Sequence, residues 1–360
     1  MEMRILMTSR RFPPDVHSGT ETVFRALYRE ARERHEVRLV VGWQSSRDQI
    51  PPEAVGVRLR GMSKPKQWFR MAKAIRAEVQ RWKPDVVLSN NLELPPTGVP
   101  AVCVVHDLNF GENPTDRTQS SGLTDWFRKA GYGAGSRMFE SIVTATHASA
   151  EAIGALGVDR GRITVIRNGV DAPPPAEASP ESDLVTFIYP SRIMPSKGQH
   201  LAIDAIARLP GVYKRRATLV IAGASVDGVY LDQLRVQAYN QPVQFSPDVR
   251  EMLPLIQSSD VVLFPTMMPE GFGQVAVEAM ACGKPVIWSD QSAIREATGG
   301  IGIPVVAGDV DSLRAAMRQL MDDPDQLRSL GRAGQQYIRS QPDWAGVWAQ
   351  YERVLVLAAQ

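Results

Sequence analysis

The sequence predicts an α/β protein of two doubly wound parallel sheets, and three observations carry that prediction. The chain has 360 residues, more than one ordinary hydrophobic core fills. Short β-branched runs alternate with amphipathic helical patterns from end to end, the order of a parallel sheet with helices on both faces. A stretch rich in Pro, Ala, Ser and acid, DAPPPAEASPESD from Asp171 to Asp183, interrupts the alternation where neither strand nor helix can continue. A first domain is therefore expected over residues 1–171, a linker over 172–183 and a second domain over 184–342, followed by a terminal helix over 343–360.

In the first domain the strand candidates are RILMTS, EVRLVVGW, GVRLRG, DVVLSN, AVCVVHD, SIVTAT and ITVIRNG. Between the first two lies TETVFRALYREARER, where Val23, Leu27 and Ala31 recur four apart as one apolar stripe. After the linker come LVTFIYPSR, ATLVIAGA, PVQFSP, DVVLFPT, KPVIWSD and GIPVVAG, each leading into a helical segment. The chain closes on DWAGVWAQYERVLVLAAQ, a helix with Trp344, Trp348, Tyr351 and Leu355 near one face. That face needs a surface to cover.

Apolar residues make up 44% of the chain and charged residues 22%, ordinary for a globular enzyme. No run of about 18 apolar residues occurs, so no membrane span is expected. MEMRILMTSRR enters a strand-like segment without a signal-peptide core, which points to the cytoplasm. Cys103 and Cys282, the two cysteines, stand in apolar contexts (AVCVV, AMACGKPVI) and read as buried thiols in a reducing compartment. The net charge of +2 hides an asymmetry. Up to Asp171 there are roughly 25 Lys and Arg against 19 Asp and Glu, and beyond it roughly 16 against 20. Much of the excess lies between Arg58 and Lys83, RLRGMSKPKQWFRMAKAIRAEVQRWK. This reads first as a solvated helix face, and otherwise as a surface for acceptor phosphates or an anionic membrane. No nucleic-acid-binding motif accompanies it, so nucleic acid is not an expected partner.

In doubly wound sheets ligands bind beyond the C-terminal ends of the strands, which directs attention to the strand-to-helix loops. TSRRFPPDVHSGTETVF leaves the first strand with Arg10, Arg11 and His17, then enters a helix that Ser18 or Thr20 can cap. Free N–H groups there favour an anion; the plainer alternative is a capped surface loop. VVHDLNF puts His106 and Asp107 at a strand terminus, a functional position, although a lone histidine is usually a satisfied structural group. YPSRIMPSKGQH carries Arg192 and Lys197 at a five-residue spacing, a fork and a point charge suited to one diphosphate. It lacks the glycines of a P-loop. FSPDVREMLPLIQSSD ends a strand at Phe245 and enters a helix; it reads as structure, with Val249 able to offer backbone edges to a base.

PEGFGQVAVEAMACGKPVI sets Glu270 in a turn and Glu278 in the second turn of the helix that follows. Gly271 and Gly273 let the backbone approach a ligand at the helix N-terminus. One helical turn rises about 5.4 Å, so the two carboxylates need not meet. The spacing neither requires nor favours an acid/base pair across a sugar.

This last stretch closely resembles the Glu-x7-Glu motif of retaining glycosyltransferases of the family 4 type, which have the GT-B fold. SRIMPSKG resembles the Arg…Lys-Gly diphosphate motif of the same family, and SGTE, VVHD and IRNGVD fall in its order. The resemblance covers nearly the whole chain. It implies two Rossmann-like domains facing a cleft, with the terminal helix around Trp344 and Trp348 crossing back to the first. It implies that Glu270 contacts hydroxyls of the donor sugar and that Glu278 accepts hydrogen bonds from the ribose. Amides around Phe272, Gly273 and Gln274 would hold phosphate and sugar oxygens, Gly19 would serve the β-phosphate, and the Val249 backbone would meet the base. Arg192 and Lys197 would neutralise the departing diphosphate, while His106 would stand by the sugar's 6-position.

The activity so implied is metal-independent transfer of a hexose, with retention, from a UDP- or GDP-sugar to an unidentified acceptor. A sugar, a lipid-linked glycan and a small metabolite are the acceptor classes, with Arg10, Arg11 and His17 as acceptor-side candidates. Peripheral contact with the inner face of a membrane through the basic first domain belongs to the same expectation. No cofactor is called for, because cations and amides meet the charge on the diphosphate, and no His cluster stands at metal-ligand spacing. The other classes are a UDP-sugar 2-epimerase on the same architecture and a sugar-nucleotide-binding protein without catalysis. Three departures from the family pattern stand out: Ser18 for a glycine, NNLE for a His-x-His-like pattern, and Pro247 near a frequent glycine.

Overall fold

The computed structural model describes residues 2–12, 19–44, 50–92, 94–106, 133–171, 173, 183–249 and 251–360. Its contacts group the chain into two units, one built from the described residues up to Gly169 together with Pro342–Gln360, the other from Val170–Gln341. The stretch 172–183 falls almost wholly outside the described residues.

The first unit is a seven-stranded parallel sheet of β1 (Arg4–Ser9), β2 (Glu36–Trp43), β3 (Val55–Arg58), β4 (Val86–Asn90), β5 (Ala101–Val105), β6 (Ser141–Thr144) and β7 (Ile163–Val165). Its spatial order is β3-β2-β1-β4-β5-β6-β7. Because side chains alternate across a strand, each central strand feeds two cores. Ile5, Met7, Val86, Leu88, Val102 and Val104 join one, while Leu6, Val87, Cys103 and Val105 join the other. The first core is covered by the helices Gly19–Arg32 and Trp344–Ala358, the second by the helix Lys64–Trp82. A one-residue slip in register (Ile5 opposite Val37 and Val86) would exchange the two sets.

The stripe of Val23, Leu27 and Ala31 is buried, at 1%, 0% and 0% exposure. The helix Trp344–Ala358 begins where Asp343 accepts from the Gly346 amide at 2.8 Å. It places Trp344, Val347, Trp348, Tyr351 and Leu355 in the same core as β1, β4 and β5. Burying one such side chain contributes on the order of 2–3 kcal/mol, so this helix belongs to the first unit in energy as well as in position.

The second unit is a six-stranded parallel sheet of β8 (Val185–Pro190), β9 (Ala217–Gly223), β10 (Val243–Pro247), β11 (Val261–Phe264), β12 (Val286–Ser289) and β13 (Ile303–Val305). The order is β10-β9-β8-β11-β12-β13. Phe187, Tyr189, Leu219, Ile221 and Leu263 face the helices Gln199–Ala207 and Val310–Asp322. Ile188, Val262, Phe264, Val286 and Trp288 face the helix Gln274–Ala281 and Ile294.

Two expectations are corrected. The strand ending at Phe245 runs on to Pro247, paired with Gly223; β10 is an edge strand, where proline's missing N–H costs no ladder bond. Cys103 is buried, but Cys282 is only half-buried, because it sits at the helix C-cap rather than on the core stripe.

Candidate active site

Where the strand order of a parallel sheet reverses, a binding crevice opens outside the carboxyl ends of the two strands at the reversal. In the second unit those strands are β8 and β11, in the first β1 and β4. The loops that follow them contain most of the residues singled out above.

In the second unit the connection after β8 carries Arg192, Lys197 and Gly198, and the one after β11 carries Glu270. They are joined directly. Lys197 Nζ lies 2.5 Å from Glu270 Oε1 and 5.8 Å from the Phe264 ring centroid. Thr266 Oγ1 donates to the same carboxylate oxygen at 3.1 Å. Backbone contacts bind the two loops as well: the Met267 amide donates to Ser196 O at 3.2 Å. Gly198, in the left-handed region at φ 88°, lets its Cα approach so closely that a Cβ would stand 3.1 Å from Pro265 O. Gln291, just after β12, fixes the second loop from behind. It accepts from the Glu270 amide at 2.9 Å and donates to Thr266 O at 3.2 Å and Met268 O at 2.9 Å.

Arg192 is half-buried, and its carbonyl accepts from Gln199 Nε2 at 2.8 Å. Among the described residues no acceptor engages its guanidinium. Gly273, at φ 90°, forms the N-cap of the helix Gln274–Ala281, and Phe272 before it is buried. A Cβ on Gly273 would stand 3.3 Å from Ile294 Cγ1. The N-terminal end of that helix therefore faces the same reversal as Lys197 and Glu270.

Glu278, four residues after Gln274, is half-buried, and its carboxyl is pushed up to about 7. Burial is the main cause; a hydrogen bond from Gln274 pulls the other way, and the charge of Asp171 adds to the rise. The two glutamates thus differ: Glu270 is held by the Lys197 cation, whereas no cation is among the groups that shift Glu278. Val249 lies apart from both, in the loop after edge strand β10, next to Asp248 at φ 58°.

In the first unit His106 follows β5, half-buried, with Nε2 2.8 Å from Asn90 Oδ1 at the end of β4. Burial pulls its imidazole down to about 4. Asn90 Nδ2 donates to Ser9 Oγ at 2.9 Å, and Ser9 Oγ donates to Arg11 O at 2.5 Å. Arg10 lines a small depression with Thr8, Ser9, Trp68, Met71, Ser89 and Asn90. Arg11 is exposed, and Gly19 is exposed at the start of its helix. His17, Ser18 and Asp107 lie outside the described residues.

Sequence reasoning missed Ser9, Asn90, Thr266 and Gln291. The strand-end rule that selected His106 applies equally to Ser9 and Asn90, the last residues of β1 and β4. Thr266 and Gln291 carry no such signal. Among the described residues no group of three or more His, Cys, Asp or Glu is placed to hold a metal ion. Two Asp-x-Asp sequences occur, Asp309–Asp311 and Asp323–Asp325, and in each the first aspartate caps a helix. No helix among the described residues is long and apolar enough to cross a membrane.

Comparison with known proteins gives consistent results. The family model described as Glycosyl transferases group 1 matches residues 175–337, and that described as Glycosyltransferase Family 4 matches residues 17–172. A glycogen synthase of Mycobacterium tuberculosis is 31% identical over 298 residues, 77% of this chain and 70% of that protein. An MMP α-(1→4)-mannosyltransferase of Mycolicibacterium hassiacum is 27% identical over 83% of this chain and 77% of its own. Among solved structures, Anabaena HepE in complex with UDP and glucose superposes with a TM-score of 0.79 at 21% identity, over 99% of this chain and 100% of that one. Sucrose-phosphate synthase of Thermosynechococcus elongatus gives 0.81 at 18% identity, over 100% of both chains. These two share the fold.

Proposed function

The chain belongs to the group 1 glycosyl transferases, GT4-type enzymes of the GT-B fold, and from that premise we propose metal-independent transfer of a hexose from a UDP- or GDP-sugar with retention of configuration. The observation that carries the proposal is the joining of Lys197 to Glu270 at the β8/β11 reversal, beside the glycine-capped end of the helix Gln274–Ala281. Breaking the anomeric C–O bond builds negative charge on the diphosphate and positive charge on the sugar. Arg192, Lys197 and the helix amides meet the first; Lys197 and the helix end are held in place before reaction, so little reorganisation of these groups opposes it. Glu270, anchored by Lys197, Thr266 and Gln291, presents its remaining acceptor capacity to sugar hydroxyls. Glu278 takes the ribose hydroxyls, and Phe272, Gly273 and Gln274 offer main-chain amides. The acceptor attacks from the face the nucleotide leaves, so neither glutamate serves as a nucleophile. His106 stands by the donor sugar, Gly19 by the β-phosphate and the Val249 backbone by the base.

On the acceptor side, the helix Lys64–Trp82 supports a lipid-linked substrate reached at an anionic membrane. Lys64, Lys66, Arg70, Lys73 and Arg76 are exposed, and Phe69 stands among them 68% exposed with Trp68 edge-on at 5.3 Å. Each cation near such a surface contributes about 1 kcal/mol, and the aromatic pair suits the headgroup level. Arg10 and Arg11 lie at the strand end that the acceptor would approach. Flotation with anionic vesicles tests this; protein that stays with the unbound fraction removes the membrane half.

The donor reading is tested by a thermal-shift panel of UDP-, GDP- and ADP-sugars, followed by product analysis with the donor that binds. A retained anomeric configuration in the product supports the proposal. An epimer formed from a UDP-sugar alone would make the chain a 2-epimerase. Tight donor binding with neither hydrolysis nor transfer would make it a binding protein.

A further inference from the structure

The side chains of Ser9, Asn90 and His106 form a hydrogen-bonded line across the ends of β1, β4 and β5, and its direction is fixed from one end. That end is Arg11 O, a carbonyl, which can only accept. Ser9 Oγ lies 2.5 Å from it and so spends its single proton there. The same oxygen already accepts from the Arg11 amide at 3.4 Å. Ser9 Oγ can therefore only accept from Asn90, which must turn its Nδ2 toward it, at 2.9 Å. The other end of the amide, Oδ1, then faces His106 Nε2 at 2.8 Å, and an amide oxygen only accepts. The ring proton has to sit on Nε2. Ser9 and Asn90 are 3% and 4% exposed, so water does not compete for either bond.

We propose that Ser9 and Asn90 are positioning residues that fix His106 in its Nε2–H tautomer, leaving the Nδ1 lone pair to accept from a hydroxyl of the donor sugar. The choice of amide is part of the device. An aspartate at position 90 would hold the same ring proton but would favour a second one on the imidazole, at the expense of the lone pair. An asparagine holds the tautomer and supplies no charge. Burial, which pulls His106 down to about 4, acts in the same direction, so the ring is neutral at pH 7. The proposal rests on the glycosyl-transfer reading only for the identity of the hydroxyl; the tautomer can be read with no substrate present.

The test is a long-range proton–nitrogen correlation spectrum of the whole protein labelled with 15N-histidine. The chain has five histidines, and the His106 signals are assigned by their loss in His106→Gln. The expected wild-type pattern at pH 7.5 is a protonated Nε2 and a bare Nδ1. In Ser9→Ala the amide loses its anchor, and an Nδ1–H population should grow. In Asn90→Asp the pH at which the second ring nitrogen takes up a proton should rise by about 1–3 units. Turnover in both variants should fall on the order of tenfold or more, with UDP affinity unchanged. A wild-type His106 protonated on Nδ1, or an unaltered tautomer in Ser9→Ala, overturns the proposal. Correct tautomer signals with no glycosyl transfer would defeat the functional reading alone.

Discussion

The Lys197 ammonium and the Glu270 carboxylate meet at 2.5 Å although 73 positions separate them in sequence, and each side chain is more than four-fifths buried. The pair locks together the two loops of one sheet reversal. Neither loop is therefore placed by its own strand alone.

Removing one partner leaves the other charge poorly solvated. Lys197→Ala and Glu270→Gln should each lower stability by about 1–3 kcal/mol, with the double variant costing less than the sum. Urea midpoints measure this, and additive losses would mean that the pair is not coupled. Calorimetry with UDP should show donor affinity in Lys197→Ala reduced at least roughly tenfold.

Glu278 has an explicit pH signature. Its pKa is raised from 4.5 to about 7 by burial, so the folded chain favours its protonated form. The stability this gives is complete below about 4.5 and lost as pH rises through about 7. Glu278→Gln, permanently neutral, should therefore match wild type at pH 4.5 and exceed it by about 1–3 kcal/mol at pH 8. The same variant should bind donor weakly. A Tm difference between the two proteins that does not change from pH 5 to pH 8 would show that the carboxyl is not desolvated.

Gly273 and Gly300 separate backbone strain from site geometry. Both have positive φ, 90° and 74°, but only Gly273 has neighbours within 4 Å of an added Cβ. Alanine at either position should cost about 1–2 kcal/mol. Loss of donor binding is expected for Gly273→Ala and not for Gly300→Ala, as a thermal-shift titration would reveal.

The closing helix gives the largest effect on stability. Trp348 is fully buried, and Trp348→Ala should cost about 3–5 kcal/mol. Gly169→Ala approaches the same helix from outside, since its Cβ would stand 2.7 Å from the Trp344 ring. Denaturant melts of the two variants should both show a weakened first unit; a Gly169→Ala protein as stable as wild type would mean that Trp344 can move aside at no cost.

The thirteen strands among the described residues were legible in the sequence because most are short apolar runs rich in β-branched residues, and most are closed by Gly, Pro, Ser or Asp. The stripe Val23, Leu27, Ala31 was legible for the same reason: burial follows a period that a single helix repeats. Lys197 and Glu270 were individually visible as charged residues in strand-to-helix loops. Their bond to each other, across 73 residues, was not, because the meeting depends on β11 pairing with β8. Gln291 braces the loop through that loop's backbone amide and carbonyls, and Thr266 meets the Glu270 carboxylate; a polar residue type says nothing about which group it will brace. Asn90 stood at a strand end like His106, yet only the fold sets the two 2.8 Å apart.

The return of Trp344–Ala358 to the core of β1, β4 and β5 sets the order of events at the ribosome. The first unit is written in two instalments, and the second unit is made between them. While the middle of the chain is being translated, one face of the N-terminal sheet is without its closing aromatic cover. That nascent sheet stays uncovered on one face until Trp344–Ala358 has emerged, and apolar surface exposed in this way is what makes unfinished domains prone to wrong contacts.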